Sequence, residues 1–280
     1  MNTTDRILGE AMTPRQKRIY KDPRLAVFWA IKHGQRFPEA EPYILKATDP
    51  GHAYFYAKKV LKGRWPEAEE AIIKDGHVAY LYALDVIGGR WPEAERPEAE
   101  AAIATDPGWA YRYAEYVIKG RFPEGEAAIA TNPLNAYNYA RWIIRGRWPE
   151  AEATIAKSTA NVVFDWRGLP AASVTYAYEY AVNVIGGRWP EVEAAIATNA
   201  SVAVHYALNV IKGRFPEGEA AIATDPGWAY QYAEYVIKGR FPEGEATIAT
   251  DPHRAKFYLK KFPEAKLEWA MNGWLDWLDL

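Results

Sequence analysis

Cysteine is absent from this chain of 280 residues, and serine occurs only as Ser158, Ser173 and Ser201. Without a thiol there is no disulfide, no thiolate metal site and no cysteine nucleophile, which fits a reducing compartment. Also missing is any apolar run of about eighteen residues, so no membrane span is expected. The N-terminal stretch MNTTDRILGEAMTPRQKRIYKDP lacks the apolar core of a signal peptide. Neither sign of charge dominates: 34 Lys and Arg stand against 36 Asp and Glu. No global field therefore draws the chain to nucleic acid or to an anionic membrane. These absences describe a soluble protein expected in the cytoplasm.

What the chain has in quantity is aromatic surface, with 12 Trp and 19 Tyr, a loading foreign to disordered chains. The aromatics are periodic. Arg, an aromatic and Pro occur together from Arg36, Arg64, Arg90, Arg121, Arg147, Arg188, Arg214 and Arg240, at spacings of 28, 26, 31, 26, 41, 26 and 26 residues. A decayed ninth copy, KFPEAK, starts at Lys261. The unit is thus 26 residues, and the longer intervals carry insertions. Repeats of this size stack, because none can bury its apolar face alone.

Each unit reads as two short helices. The Pro of Arg-aromatic-Pro-Glu-x-Glu suits the first position of a leading helix, and its glutamates suit the positive end of the dipole. About nine residues on, Asp49, Asp106, Asn132, Asp225 and Asp251 each precede Pro, while Asp75 and Asn199 hold the same place before Gly and Ala. These are N-caps of a trailing helix. Its repeated Ala-Tyr-x-Tyr-Ala-x-x-Val-Ile puts apolar residues at offsets of 0, 3, 4, 7 and 8, one α-helical stripe. Gly63, Gly89, Gly120, Gly146, Gly187, Gly213 and Gly239 follow as expected left-handed C-caps. The expected fold is all-α: an α-solenoid of about eight to nine 26-residue hairpins. Each hairpin would comprise a leading helix and the trailing helix after it, with Gly-Arg-aromatic-Pro as the hinge to the next. Residues 1–23 are read as an N-terminal cap, 24–264 as the repeats, and 265–280 as a capping helix.

Three irregularities interrupt the pattern. Arg96-Pro-Glu-Ala-Glu100 copies the segment before it and is expected to extend or break one helix. An insertion over residues 158–172, with Phe164 and Trp166, is too apolar for a solvated loop; it either joins a binding face or tucks into the groove. Residues 103–131 and 222–250 are nearly identical, differing at Arg112 against Gln231 and Ala128 against Thr247. Growth by copying whole units suits a binding surface better than a catalytic site.

The Gly-Arg-aromatic-Pro-Glu-x-Glu hairpins resemble, in pattern, the tetratricopeptide and Sel1-like repeats, although the unit is shorter and this signature is not their consensus. They look more like repeat proteins of bacteriophages and large viruses. That resemblance implies binding of another macromolecule, and a phage-encoded inhibitor or adaptor acting in the host cytoplasm.

Chemistry is sparse. His33, His52, His77, His205 and His253 occupy unequal repeat positions without ligand spacing, and no phosphate-cradling loop is present. No catalytic residue, metal or cofactor is expected; the function expected is a non-enzymatic scaffold for a protein partner. Candidate contacts are Phe164 and Trp166, together with the varying positions Arg112, Asn138, Glu179, His205 and Gln231. Beside them stand Tyr111, Tyr137, Tyr178 and Tyr230, which either pack between hairpins or line a concave surface. The alternative is a nucleic-acid reader whose phosphate ladder is Arg64, Arg90, Arg121, Arg147, Arg188, Arg214 and Arg240. Two nearby carboxylates accompany each arginine, so structural ion pairs compete with that use.

Overall fold

An Asp or Asn before the first turn of a helix satisfies N–H groups that have no carbonyl partner, and this chain uses the device throughout. Oδ1 of Asp106 accepts from the Gly108 and Trp109 amides at 2.8 and 2.9 Å, and Asp225 repeats this with Gly227 and Trp228. Asp75, Asn132, Asn199 and Asp251 cap in the same way, and Asp49 accepts from the Gly51 amide. Asp22, in an earlier Asp-Pro step, caps the helix Pro23–His33 through the Leu25 amide.

The structure, a computed structural model, describes residues 14–91, 97–158 and 176–265. Among the described residues it is all-α, with no strand. The chain forms two compact units, Met1–Asn135 and Ala136–Leu280. In the first, Pro14–Lys21 packs on Pro23–His33, after which leading helices such as Pro66–Ile72 and Pro97–Ile103 alternate with trailing helices from Gly51, Gly76 and Pro107. In the second, the leading helices Pro149–Ala156, Pro190–Ile196, Pro216–Ile222 and Pro242–Ile248 alternate with trailing helices from Tyr176, Ala200, Pro226 and Pro252.

The closest helix pairing corrects the expected hairpin. Gly76–Tyr82 packs most extensively on Pro97–Ile103, and Ala200–Tyr206 on Pro216–Ile222, each on the leading helix that follows it; the trailing helices from Pro107 and Pro226 do the same, whereas Tyr176–Tyr180 packs on Pro149–Ala156 before it. Gly-Arg-aromatic-Pro is therefore the turn within the tight hairpin. Small residues explain the closeness: a Cβ on Gly218 would stand 2.8 Å from the Cβ of Ala203, and one on Gly125 2.9 Å from that of Ala110.

Gly at this crossing goes with Phe one turn earlier, as in Phe122–Gly125, Phe215–Gly218 and Phe241–Gly244, whereas Trp65, Trp148 and Trp189 go with Ala68, Ala151 and Val192. The Phe ring takes the methyl's space, its Cδ1 lying 2.5 to 2.7 Å from the built Cβ. Phe37 and Phe262 are followed by Ala40 and Ala265; after Phe37 a turn replaces the first helical turn, and after Phe262 a turn covers residues 263–264.

Each internal trailing helix departs from the expected stripe. It starts as an α-helix and ends as a π-helix, as in Pro107–Arg112 continuing into Tyr113–Ile118 and Ala200–Tyr206 into Ala207–Ile211. The cause is chain length. Six residues separate Ala30 from Arg36 and the helix Pro23–His33 stays α throughout, but seven separate Ala57 from Arg64, and the extra residue widens the last turns. Ala207 O then receives the amides of both Lys212 and Gly213. The alanines at offsets 0 and 4 and the tyrosine at 3 remain fully buried, as in Ala203, Tyr206 and Ala207, but the Val and Ile at 7 and 8 are only half-buried.

The expected C-caps lie one residue too late. The left-handed residue is Lys62, Lys119, Arg145, Lys212 or Lys238, with φ of 54 to 60°, and it is Gly88 or Gly186 where glycines are paired. Gly63, Gly120, Gly146, Gly213 and Gly239 carry no positive φ.

The five-residue copy resolves simply. The described helix starts at Pro97, and Glu100 of the second copy fills the place that Glu69 holds in its own repeat. The first copy lies outside the described residues. So do Phe164, Trp166 and nearly all of the 158–172 insertion, and the expected capping helix except Ala265.

Candidate protein-binding face

The arginine of every repeat is held by the second glutamate of Pro-Glu-x-Glu. Nε and Nη2 of Arg188 bond the two oxygens of Glu193 at 2.8 and 2.5 Å. The same fork joins Arg64 to Glu69, Arg121 to Glu126, Arg147 to Glu152, Arg214 to Glu219 and Arg240 to Glu245. Arg90 reaches Glu100 across the duplication. The buried tyrosine of the next trailing helix completes the cluster: Tyr206 OH donates to Glu193 at 2.9 Å and accepts the Trp189 amide at 2.8 Å. Tyr232 does so with Glu219 and Phe215, and Tyr258 with Glu245 and Phe241.

These contacts set the titration. The arginine hydrogen bond holds Glu193, Glu219 and Glu245 below the ordinary carboxylate value against the opposing effect of burial. Burial pushes Tyr180 and Tyr206 up to about 12, with their glutamates adding to the rise. A cluster written in every repeat and closed on itself is a structural clamp. The arginine ladder thus spends the guanidinium edge best suited to phosphate on a carboxylate.

The opposite side of the trailing helices is different. Counting from the first core alanine, positions +1, +2, +5 and +6 lie on one flank. Tyr137 and Tyr178 at +1 are buried between successive trailing helices of the second unit, and Tyr54 and Tyr80 are buried likewise in the first. Tyr137 OH donates to Glu179 at 3.3 Å and accepts from Asn183 and Arg141, and Asn209 donates to Tyr178 OH at 2.8 Å. In the first unit Tyr54 OH donates to Asp85 at 2.5 Å, and Lys58 bonds the same carboxylate. Tyr111 and Tyr230 are half-buried. For the tyrosine row the structure therefore favours packing between repeats.

The varying +2 residues border this row. Arg112 is exposed with its guanidinium 5.4 Å from the Trp109 ring. Asn138, Glu179, His205 and Gln231 are half-buried. Glu179 is drawn into the Tyr137 cluster, and His205 stands between the rings of Tyr178 and Trp228, its Nδ1 2.8 Å from Ser201 O.

The sequence reading missed position +6. Tyr116 in the first unit and Trp142 and Tyr235 in the second leave 51, 54 and 53% of their surface exposed. Phe28, Phe55 and Phe257 at +2 are exposed on the same flank. Counting six residues on from each core alanine finds the first set, since offset 6 lies off the stripe of 0, 3, 4, 7 and 8. Among the described residues no group of three His, Asp or Glu is arranged to hold a metal, and no helix is long and apolar enough to cross a membrane.

No family model, curated protein or solved structure matches the chain.

Proposed function

We propose that this protein is a non-enzymatic scaffold that engages a protein partner through the +2 and +6 flank of its trailing helices. One observation carries the reading: Tyr116, Trp142 and Tyr235 recur at one repeat position, each about half exposed, on helices whose other face is fully buried. Large aromatics on a rigid support supply contact area at low entropic cost and are enriched among residues that dominate binding. The variation at +2, from Arg112 to Asn138, Glu179, His205 and Gln231, gives such a face its selectivity. The resemblance of the repeat to those of bacteriophage and large-virus proteins supports a narrower form, an inhibitor or adaptor of a host protein in the host cytoplasm.

The test is affinity capture with the tagged full chain and a Trp142→Ala/Tyr235→Ala variant of unchanged melting temperature. Retention of the captured protein should fall at least about tenfold in the variant, as loss of one strong contact would give. Unchanged retention, or recovery of nucleic acid alone, would contradict the proposal. The nucleic-acid reading gains no support from the arginine ladder, whose forks already hold carboxylates.

A further inference from the structure

The two nearly identical blocks, residues 103–131 and 222–250, fall in different units and can be compared as one surface in two settings. In the second block Glu234 lies beside Tyr230 and Tyr235, and Nζ of Lys261 bonds its Oε1 at 2.6 Å. Lys261 belongs to the next trailing helix, 27 residues further on. The lysine hydrogen bond and those of the two tyrosines hold Glu234 below the ordinary carboxylate value, against its burial. The molecule thus displays what this arrangement takes: a primary ammonium, bonded to a carboxylate framed by phenols.

The first block has the same three side chains, Tyr111, Glu115 and Tyr116. Glu115 follows Tyr111 by one turn and precedes Tyr116 directly on the same trailing helix; its charge and hydrogen bonding raise the Tyr116 phenol, and burial first and then Glu115 raise that of Tyr111. Among the described residues no ammonium reaches it. Arg112, one turn back, stands over the Trp109 ring, and Glu115 forms no ion pair among the described residues. Tyr116 remains half exposed.

We propose that Tyr111, Glu115 and Tyr116 form a binding site for a lysine side chain of a protein partner, the duplicate of the site that Lys261 fills within the chain. This deepens the scaffold reading and rests on it for the source of the lysine, but the site itself can be tested without a partner.

The probe is Nα-acetyl-lysine methylamide, titrated into the full chain while the Tyr116 and Tyr235 ring signals are followed by NMR. The norleucine analogue, which has no ammonium, serves as the control. One saturable site is expected in the native chain, sensed by Tyr116 and at least about tenfold weaker for norleucine. Lys261→Met should open a second site sensed by Tyr235. Glu115→Gln should abolish the first, and the double variant should retain only the second. Equal binding of norleucine, binding that survives Glu115→Gln, or no gained site in Lys261→Met would overturn the inference. The norleucine comparison needs no variant, so a folding defect cannot obscure the result. If the probe does not bind while a captured partner still depends on Trp142 and Tyr235, the lysine site fails and the scaffold stands.

Discussion

Phe215 occupies the space that a methyl group on Gly218 would need: its Cδ1 lies 2.7 Å from where that carbon would be built, and the Cβ of Ala203 lies 2.8 Å away on the other side. Gly218→Ala should therefore overpack the helix crossing and cost about 1–3 kcal/mol. Phe215→Trp in the same chain should recover part of that loss, because Trp65, Trp148 and Trp189 stand with Ala68, Ala151 and Val192. A double-mutant cycle from denaturant unfolding reads the coupling; strictly additive effects would refute it.

Tyr206 joins two leading-helix groups through one hydroxyl, accepting the buried Trp189 amide and donating to Glu193. Tyr206→Phe keeps the ring but leaves a buried N–H without an acceptor, at a cost of about 1–3 kcal/mol. Chemical denaturation should show the loss, and a change within about 0.5 kcal/mol would mean that the cluster is not a clamp.

The clusters also predict a stability plateau with two edges. The folded carboxyl values of Glu193, Glu219 and Glu245 are depressed, so their contribution is present above the unfolded value and lost as pH falls through the folded values. The phenols behave in the opposite sense. Their folded values are raised, so stability is complete below the usual value of 10 and lost as pH climbs through the folded values, about 12 for Tyr180 and Tyr206. Melting temperature against pH should be flat between these edges, and phenolate absorbance should reveal tyrosines that ionise only on unfolding.

Lysine at a left-handed position carries strain that glycine avoids. Lys119→Gly should raise stability by roughly 0.5–1 kcal/mol, the relief of a left-handed side chain less the added freedom of the unfolded chain. Gly88 and Gly186 already hold this place in their repeats. Gly146→Ala, with no positive φ and open space around its Cβ, should be nearly neutral. Thermal melts of the two variants should move apart accordingly.

Much of this fold was legible because local rules and burial agree. Asp225 before Pro226 announces a helix start, and Ala229, Tyr232 and Ala233 announce its buried side. The π-helical ends were not legible from the stripe, since Val236 and Ile237 fit an α-helical count equally well. Only the seven-residue step from Ala233 to Arg240, against the six-residue step from Ala30 to Arg36, carries that information. Hairpin pairing was hidden for a different reason: Ala203 and Gly218 are both simply small, and their contact is a fact of three dimensions. Arginine pairing was half legible, since the glutamates were plain but the choice of the second over the first, and the Tyr206 hydroxyl that completes it, required the fold.

The most direct test is hydroxyl-radical footprinting of the full chain, free and bound to the protein it captures. Protection on binding should concentrate on Tyr116, Trp142 and Tyr235, while Trp148 and Trp189, already buried, stay unreactive in both states. Protection that spares all three exposed aromatics and falls on the leading helices would contradict the assignment of the binding face.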